Sequence, residues 1–198
     1  ELGAEKILIT GSRKPNFPKG LNKTGLHVEK TYIPVDEVLG TNIPNIYAIG
    51  DINGLMGMAH AAIQQGIVLA ENILFKKKST LSYDIIPSAI FGIPEIAGVG
   101  YQEFELKRKN IKYKKGICNF SDTWRGFSKQ IANGFIKVLA DEDNKLLGVW
   151  MVGDNVSEYV GLMSVLIQNK VGLEEIKRNL IIHPSLNEAI LEAILSMT

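Results

Sequence analysis

The strongest constraint on this chain is a pair of apolar runs, Gly134 to Ala140 and Leu146 to Val152, flanking the polar stretch Asp141-Glu142-Asp143-Asn144-Lys145. Two strand-length apolar segments joined by so short a run of Asp, Asn and Lys predict an antiparallel hairpin. Further strand signals precede it. They are Ala89 to Val99, interrupted at Pro94, and Tyr113 to Phe120, with a short polar helix over Glu103 to Lys109 between them. Two helices follow. One sets Val156, Val160, Met163, Leu166 and Ile167 on a stripe; the other sets Leu186, Ala189, Ile190, Ala193, Ile194 and Met197. Strands first and helices after predict an α+β domain, an antiparallel sheet with helices on one face.

Upstream the texture differs. Ile7 to Thr10 reads as a short strand, Lys14 to Lys23 as a loop rich in Pro, Asn, Lys and Gly, and His27 to Val35 as a strand or two that Pro34 confines to an edge. Ile46 to Ile49 is a compact apolar strand closed by Gly50-Asp51. A glycine-rich turn, Asn53 to Gly57, leads into a helix from about Met58 to Phe75, with Ile63, Ile67, Ala70, Ile73 and Leu74 at helical spacing. Lys76-Lys77-Lys78-Ser79-Thr80 ends that helix as a solvated basic C-terminus, which the helix dipole favours. It marks a junction between a first domain, 1–80, and a second, 81–198.

Composition excludes several classes. Twenty-two Lys and Arg against 21 Asp and Glu leave a net charge of +1, so no broad field draws the chain to nucleic acid or an anionic membrane. The most apolar stretch, Leu146 to Val152, is too short to span a bilayer. One cysteine rules out a disulfide framework within the chain and suits a reducing compartment; on its strand, Cys118 reads as a buried, inert thiol. The three histidines, His27, His60 and His183, are too widely separated for a metal cluster. Gly98-Val99-Gly100 lacks the third glycine of a dinucleotide loop. The sequence opens at Glu1, without an initiator methionine, and reaches the apolar run Ile7-Leu8-Ile9 almost at once. We read it as part of something longer.

Two places carry candidate chemistry. At the end of the Tyr47-Ala48-Ile49 strand, Gly50 permits a close turn and Asp51 can accept a hydrogen bond from a sugar or ribitol hydroxyl. An ordinary turn aspartate that caps local backbone fits the same five residues. The small residues of Gly57-Met58-Ala59-His60-Ala61-Ala62 let a flat ligand approach the first-turn N–H groups, where the dipole suits negative charge. His60 is a ligand, a base or a structural residue, the last being the commoner role. Near the C-terminus, His183 precedes Pro184 and so has an extended backbone. Glu188 can reach back to its imidazole, fix the tautomer and support a protonated form. Ser185-x-x-Glu188 is equally a capping box, and both readings can hold.

Together and in this order, the segments resemble the C-terminal part of the pyridine nucleotide–disulfide oxidoreductases, most of all the dihydrolipoamide dehydrogenase branch. Four stretches carry the likeness: Thr10 to Asn16, with Ser12 where a glycine is usual; Tyr47 to Asp51 with Met58-Ala59-His60-Ala61; Gly92 to Gly100; and His183-Pro184-Ser185-Leu186-Asn187-Glu188. The branch commonly has a second histidine two residues before the catalytic one. Here that position is Ile181, which keeps glutathione- and mercuric-type reductases in view, beside a non-catalytic dimerisation module.

The resemblance implies an end of the NAD domain and a C-terminal portion of an α/β FAD-binding domain over 1–80, followed by an interface domain over 81–198. It implies FAD held through Gly50, Asp51, Met58, Ala59 and His60, and acid–base catalysis by His183 with Glu188 orienting it. It also implies a homodimer in which His183 serves the partner's disulfide, with the apolar stripes of the last two helices as interface surface. The implied substrates are lipoyl groups of 2-oxoacid dehydrogenase complexes, and the setting is the cytoplasm, or the mitochondrial matrix in a eukaryote. The family's N-terminal glycine-rich loop, its pair of redox cysteines and its NAD-binding domain have no counterpart in these 198 residues. By itself the chain is therefore expected to be inactive.

Overall fold

The computed structural model describes residues 3–11 and 14–197, so Ser12, in the first stretch of the family resemblance, lies outside the described residues. The chain forms two compact units, Glu1–Leu81 and Ser82–Thr198.

In the first unit the main element is helix α1, Ala59–Phe75, with Met58 at its N-cap and Lys76 closing it in the left-handed conformation (φ 53°). The predicted apolar stripe does not become a core. Ile63, Ile67, Ile73 and Leu74 are exposed, Leu74 at 72%, while α1 buries Ala61 and Gln65 against a 3₁₀ turn, Gly50–Asn53. Period alone marks an apolar face but not what covers it.

The expected strand over 46–49 is an extended segment without a ladder. It has one isolated bridge, Gly40 to Tyr47, and bonds from Ala48 N to Leu39 O (3.2 Å) and Thr41 N to Ile46 O (3.0 Å). Residues 7–10 and 27–35 likewise form no strand, and Ile7, Leu8 and Ile9 are exposed. A strand needs a neighbour that takes its N–H and C=O groups in a continuous ladder; among the described residues 27–35 find only scattered bonds, such as Ile33 N to Ile52 O at 2.8 Å, and 46–49 only those above.

The second unit is built on a five-stranded antiparallel sheet: β1 (Ser88–Ile90), β2 (Glu95–Gly100), β3 (Lys114–Asn119), β4 (Phe135–Ala140) and β5 (Leu146–Gly153). The order is β1-β2-β5-β4-β3. The predicted central hairpin is present as β4–β5, in a register that pairs Ile136 with Met151 and Val138 with Val149. These four residues are buried on one face, because side chains alternate across a strand and the odd and even sets part company. The predicted strand over 89–99 divides into β1 and β2 around Pro94.

Among the described residues five α-helices complete the unit: α2 (Glu103–Arg108), α3 (Trp124–Ser128), α4 (Ser157–Gln168), α5 (Leu173–Lys177) and α6 (Glu188–Leu195). α4 packs on β2 and β5, and α6 on β3 and β4. The apolar stripes of these two helices are therefore the core itself. Val156, Val160, Met163, Ile167, Ala189, Ile190, Ala193 and Ile194 are all buried with the sheet residues. That corrects the expectation that the stripes supply interface surface: burying them in the sheet leaves only outward positions such as Leu162, Val165 and Leu195 exposed.

On the opposite face, Lys115 and Lys137 converge on Glu103 at the start of α2, at 3.3 and 2.8 Å. Cys118 is buried, and burial pushes its thiol up to about 11, as expected for an inert cysteine.

Candidate active site

α6 begins at Glu188, and the turn before it carries His183. Side chains of the first helical turn lean back toward the preceding chain, and Glu188 does so with both oxygens. Oε1 lies 2.7 Å from His183 Nδ1, and Oε2 accepts the backbone N–H of Ser185 at 2.8 Å. The carboxylate meets the imidazole, but only half of the capping box forms: Glu188 reaches back to Ser185 N–H, while the buried Ser185 hydroxyl has no partner and Asn187 is the N-cap.

The His183 hydrogen bond first, and the Ser185 N–H second, hold the Glu188 carboxyl below the usual carboxylate range. It is thus an anion at neutral pH, an acceptor only, and the proton between the two groups sits on Nδ1. In the neutral ring Nε2 then carries the lone pair. The His183 side chain is 59% exposed and that of Glu188 only 22%, so the sheltered partner orients the accessible one.

Trp124, at the start of α3, meets the His183 ring edge-on, with centroids 6.5 Å apart and planes at 79°. Sequence periodicity does not single it out, because its contact is with His183, far along the chain. A shallow cleft of about 330 Å³ beside it is lined by Ser121, Asp122, Thr123, Trp124 and Phe127.

In the first unit, Gly50 and Asp51 open the 3₁₀ turn that follows the extended segment. Gly50 has φ +76°, the left-handed region that glycine enters without a Cβ clash. Asp51 is exposed at the turn. Two buried amides hold the turn in place, neither of them singled out by sequence reading. Gln65 Oε1 accepts Gly50 N at 2.6 Å and Asn53 Nδ2 at 3.1 Å, and Asn53 Nδ2 also bonds Ala48 O at 3.2 Å.

Met58, Ala59 and His60 form the entry to α1. Met58 contributes no side-chain cap, and a Cβ at Gly57 would meet open space. Gly50, Asp51, Met58, Ala59 and His60 thus lie at one turn–helix junction, and His183 with Glu188 lie in the other unit. Among the described residues no group of three or more His, Cys, Asp or Glu is placed to hold a metal, and no helix is long and apolar enough to cross a membrane.

Comparison with known proteins agrees with both units. Residues 86–194 match the dimerisation domain of the pyridine nucleotide-disulphide oxidoreductases, and residues 2–66 match the pyridine nucleotide-disulphide oxidoreductase family. The dihydrolipoyl dehydrogenase of Cupriavidus necator is 34% identical over 199 residues, covering 99% of this chain and 42% of that protein. The one from Corynebacterium glutamicum is 36% identical, covering 97% and 42%. Among solved structures, LpdA of Mycobacterium tuberculosis superposes with a TM-score of 0.86 at 26% identity, over 92% of this chain and 40% of that one. The flavoprotein disulfide reductase RclA of Escherichia coli shares the fold at 17% identity, with a TM-score of 0.86. The chain spans about two fifths of the length of the curated relatives it matches. A dimerisation-domain match over 86–194, a helix start that pairs His183 with Glu188, and relatives aligned along nearly the whole chain converge: this chain belongs to the pyridine nucleotide-disulphide oxidoreductase family.

Proposed function

We propose that this chain is the C-terminal part of an FAD-dependent dihydrolipoamide dehydrogenase. In this reading it holds one edge of the flavin and supplies the acid–base for dithiol oxidation. The observation that carries the reading is the 2.7 Å contact between His183 Nδ1 and Glu188 Oε1, on an imidazole whose side chain is otherwise 59% exposed. The names of the curated relatives support the choice of substrate.

FAD, when bound, relays two electrons between a redox disulfide and NAD⁺. The chain's own residues have narrower tasks. His183 Nε2 takes the thiol proton as the substrate sulfur becomes a thiolate and attacks a disulfide, whose S–S bond breaks so that a mixed disulfide forms and the second sulfur leaves as a thiolate; the imidazolium so formed stays paired with the Glu188 carboxylate. A positioned base of this kind contributes roughly 10²–10⁴-fold. Asp51 would accept a hydrogen bond from a ribitol hydroxyl, and the first turn of α1 at Met58, Ala59 and His60 would help hold the flavin, the helix dipole favouring negative charge there. The uncapped Met58 and the open space at Gly57 fit a flat, electron-rich ligand.

In the assembled homodimer, His183 serves the disulfide of the partner subunit, NAD binds outside these residues, and lipoyl groups of 2-oxoacid dehydrogenase complexes are the substrate. A cytoplasmic or matrix setting suits the buried free Cys118.

Two measurements test this. The coding region upstream of Glu1 is expected to contain a glycine-rich loop and a pair of cysteines four residues apart. In the whole enzyme, His183→Gln is expected to slow dihydrolipoamide turnover roughly 10²–10⁴-fold with flavin retained; unchanged turnover rejects the assignment. Ile181, where lipoamide enzymes commonly carry a histidine, keeps glutathione- and mercuric-type reductases in view. Faster reduction of glutathione disulfide or mercuric ion than oxidation of dihydrolipoamide would move the protein to that branch.

A further inference from the structure

We propose that Trp124 is a positioning residue for His183. It holds the imidazole edge-on, so that Nδ1 stays on Glu188 and Nε2 stays presented to the thiol. The inference rests on the acid–base reading of His183 given above.

Three observations carry it. First, the ring pair, at 6.5 Å and 79°, lies within the separation and angle favoured for edge-to-face aromatic contacts. Second, the His183 side chain is 59% exposed, and the hydrogen bond from Nδ1 fixes one atom of the ring. A ring held at one atom and unsupported by a core can still tilt and flip. A second contact across the ring removes that freedom.

Third, Trp124 is itself 70% exposed on an anchored base, so its side chain is not retained by the core. Thr123, buried at the N-cap of α3, accepts Gly126 N at 3.0 Å and donates to Phe120 O at 2.8 Å. A Cβ on Gly126 would run into the Phe120 carbonyl, so α3 sits hard against a fully buried residue. The backbone beneath Trp124 is fixed by packing while the indole projects outward to His183. A large aromatic left in water costs hydrophobic free energy, and its one described ring contact is with the imidazole.

The test reads the ring directly. In ¹⁵N-labelled full chain, imidazole nitrogen shifts report the tautomer of each of the three histidines. Wild-type His183 is expected to show the Nδ1–H form that Glu188 imposes, and Glu188→Gln gives the reference for a released ring. Trp124→Ala is expected to move His183 toward that released signature, and Trp124→Phe, which keeps an aromatic contact, to restore the wild-type one. In the whole enzyme, Trp124→Ala is expected to lower kcat by about 2–10-fold, the rate equivalent of one aromatic pair, with KM unmoved.

Wild-type nitrogen shifts in Trp124→Ala, or a Phe variant no better than Ala, overturn the proposal. Trp124→Leu, which keeps apolar bulk without a ring, repeats the test should the Ala chain fold poorly, and wild-type shifts there overturn the proposal equally. Unchanged turnover in His183→Gln would instead reject the acid–base reading, while the nitrogen shifts still decide whether Trp124 orients the ring.

Discussion

Glu188 follows His183 by five residues, yet the two side chains meet at 2.7 Å because the chain between them turns into the first turn of α6. The same carboxylate receives the Ser185 N–H at 2.8 Å, so one side chain ends a helix and aims an imidazole. The two roles separate on substitution. Glu188→Gln keeps an amide oxygen for Ser185 but loses the anion that fixes Nδ1–H. The fold is expected to survive while dithiol turnover of the whole enzyme falls, by less than the roughly 10²–10⁴-fold expected for His183 itself. Glu188→Ala is expected to cost about 1 kcal/mol of stability in addition, as the loss of a hydrogen bond, here from Ser185 N–H, does. Steady-state kinetics paired with urea melts check both; a Gln variant as slow as His183→Gln would make Glu188 more than an orienting group.

Acid is expected to weaken the second unit through Glu103. Its carboxyl is held down from 4.5 to about 2, chiefly by the Lys137 hydrogen bond and further by Lys115 and Tyr113. Between those two values the unfolded chain binds the proton and the folded one does not. The Glu103 contribution is therefore complete above about pH 4.5 and is lost as pH falls toward 2. At a partly exposed site screened by water it is worth about 1 kcal/mol. Glu103→Gln is expected to flatten this part of the pH profile in urea melts, with the two profiles meeting at the acid end. Equal slopes for wild type and variant would remove Glu103 from the acid transition.

What sequence reading could and could not see follows from the physics of each element. The β4–β5 hairpin was legible because its two strands adjoin in sequence and a polar turn joins them, so pattern and partner lie in one window. The pair His183 and Glu188 was legible for the same local reason. Residues 46–49 looked like a strand because a short apolar run says nothing of what pairs with it. The stripes of α4 and α6 were seen correctly as apolar faces, but were assigned to the dimer rather than to the sheet they cover. Trp124 and Gln65 were missed because each acts across a long stretch of chain, through a single contact that leaves no periodic trace.

The buried amide pair beneath Asp51 gives a prediction for the other unit. Gln65 is fully buried, and its oxygen is the acceptor for both Gly50 N and Asn53 Nδ2. Gln65→Leu fits the space approximately but leaves those donors without that acceptor, which costs about 1–3 kcal/mol for a buried group. The Gly50–Asn53 turn is expected to loosen, and with it the placement of Asp51. Thermal unfolding should report a lower midpoint, and the whole enzyme should release FAD more readily than wild type at equal concentration. A variant that melts early but keeps its flavin would detach the turn from cofactor binding.

The seat of α6 on the sheet is set by a missing side chain. At Gly116, in the middle of β3, an added Cβ would collide with the backbone carbonyl of Ala193 in α6, an atom that cannot swing aside as a side-chain end would. Close approach is reinforced by Ser196 Oγ, which accepts Ile117 N at 3.1 Å while its hydroxyl has Ala193 O at 2.8 Å as the nearer acceptor. Gly116→Ala must therefore push α6 off the sheet, at about 1–3 kcal/mol or more for overpacking in a close-packed core. Because α6 begins at Glu188, the shift also carries the carboxylate away from its place beside Ser185 and His183. Gly161, on the exposed side of α4 with nothing near its Cβ position, is the matched control. There an alanine is expected to stabilise by up to about 1 kcal/mol through helix propensity. Denaturant melts of the two variants should move in opposite directions from wild type, and Gly116→Ala should release the His183 tautomer as well. A Gly116→Ala chain as stable as wild type, with the His183 signature intact, would show that α6 is not held by this contact.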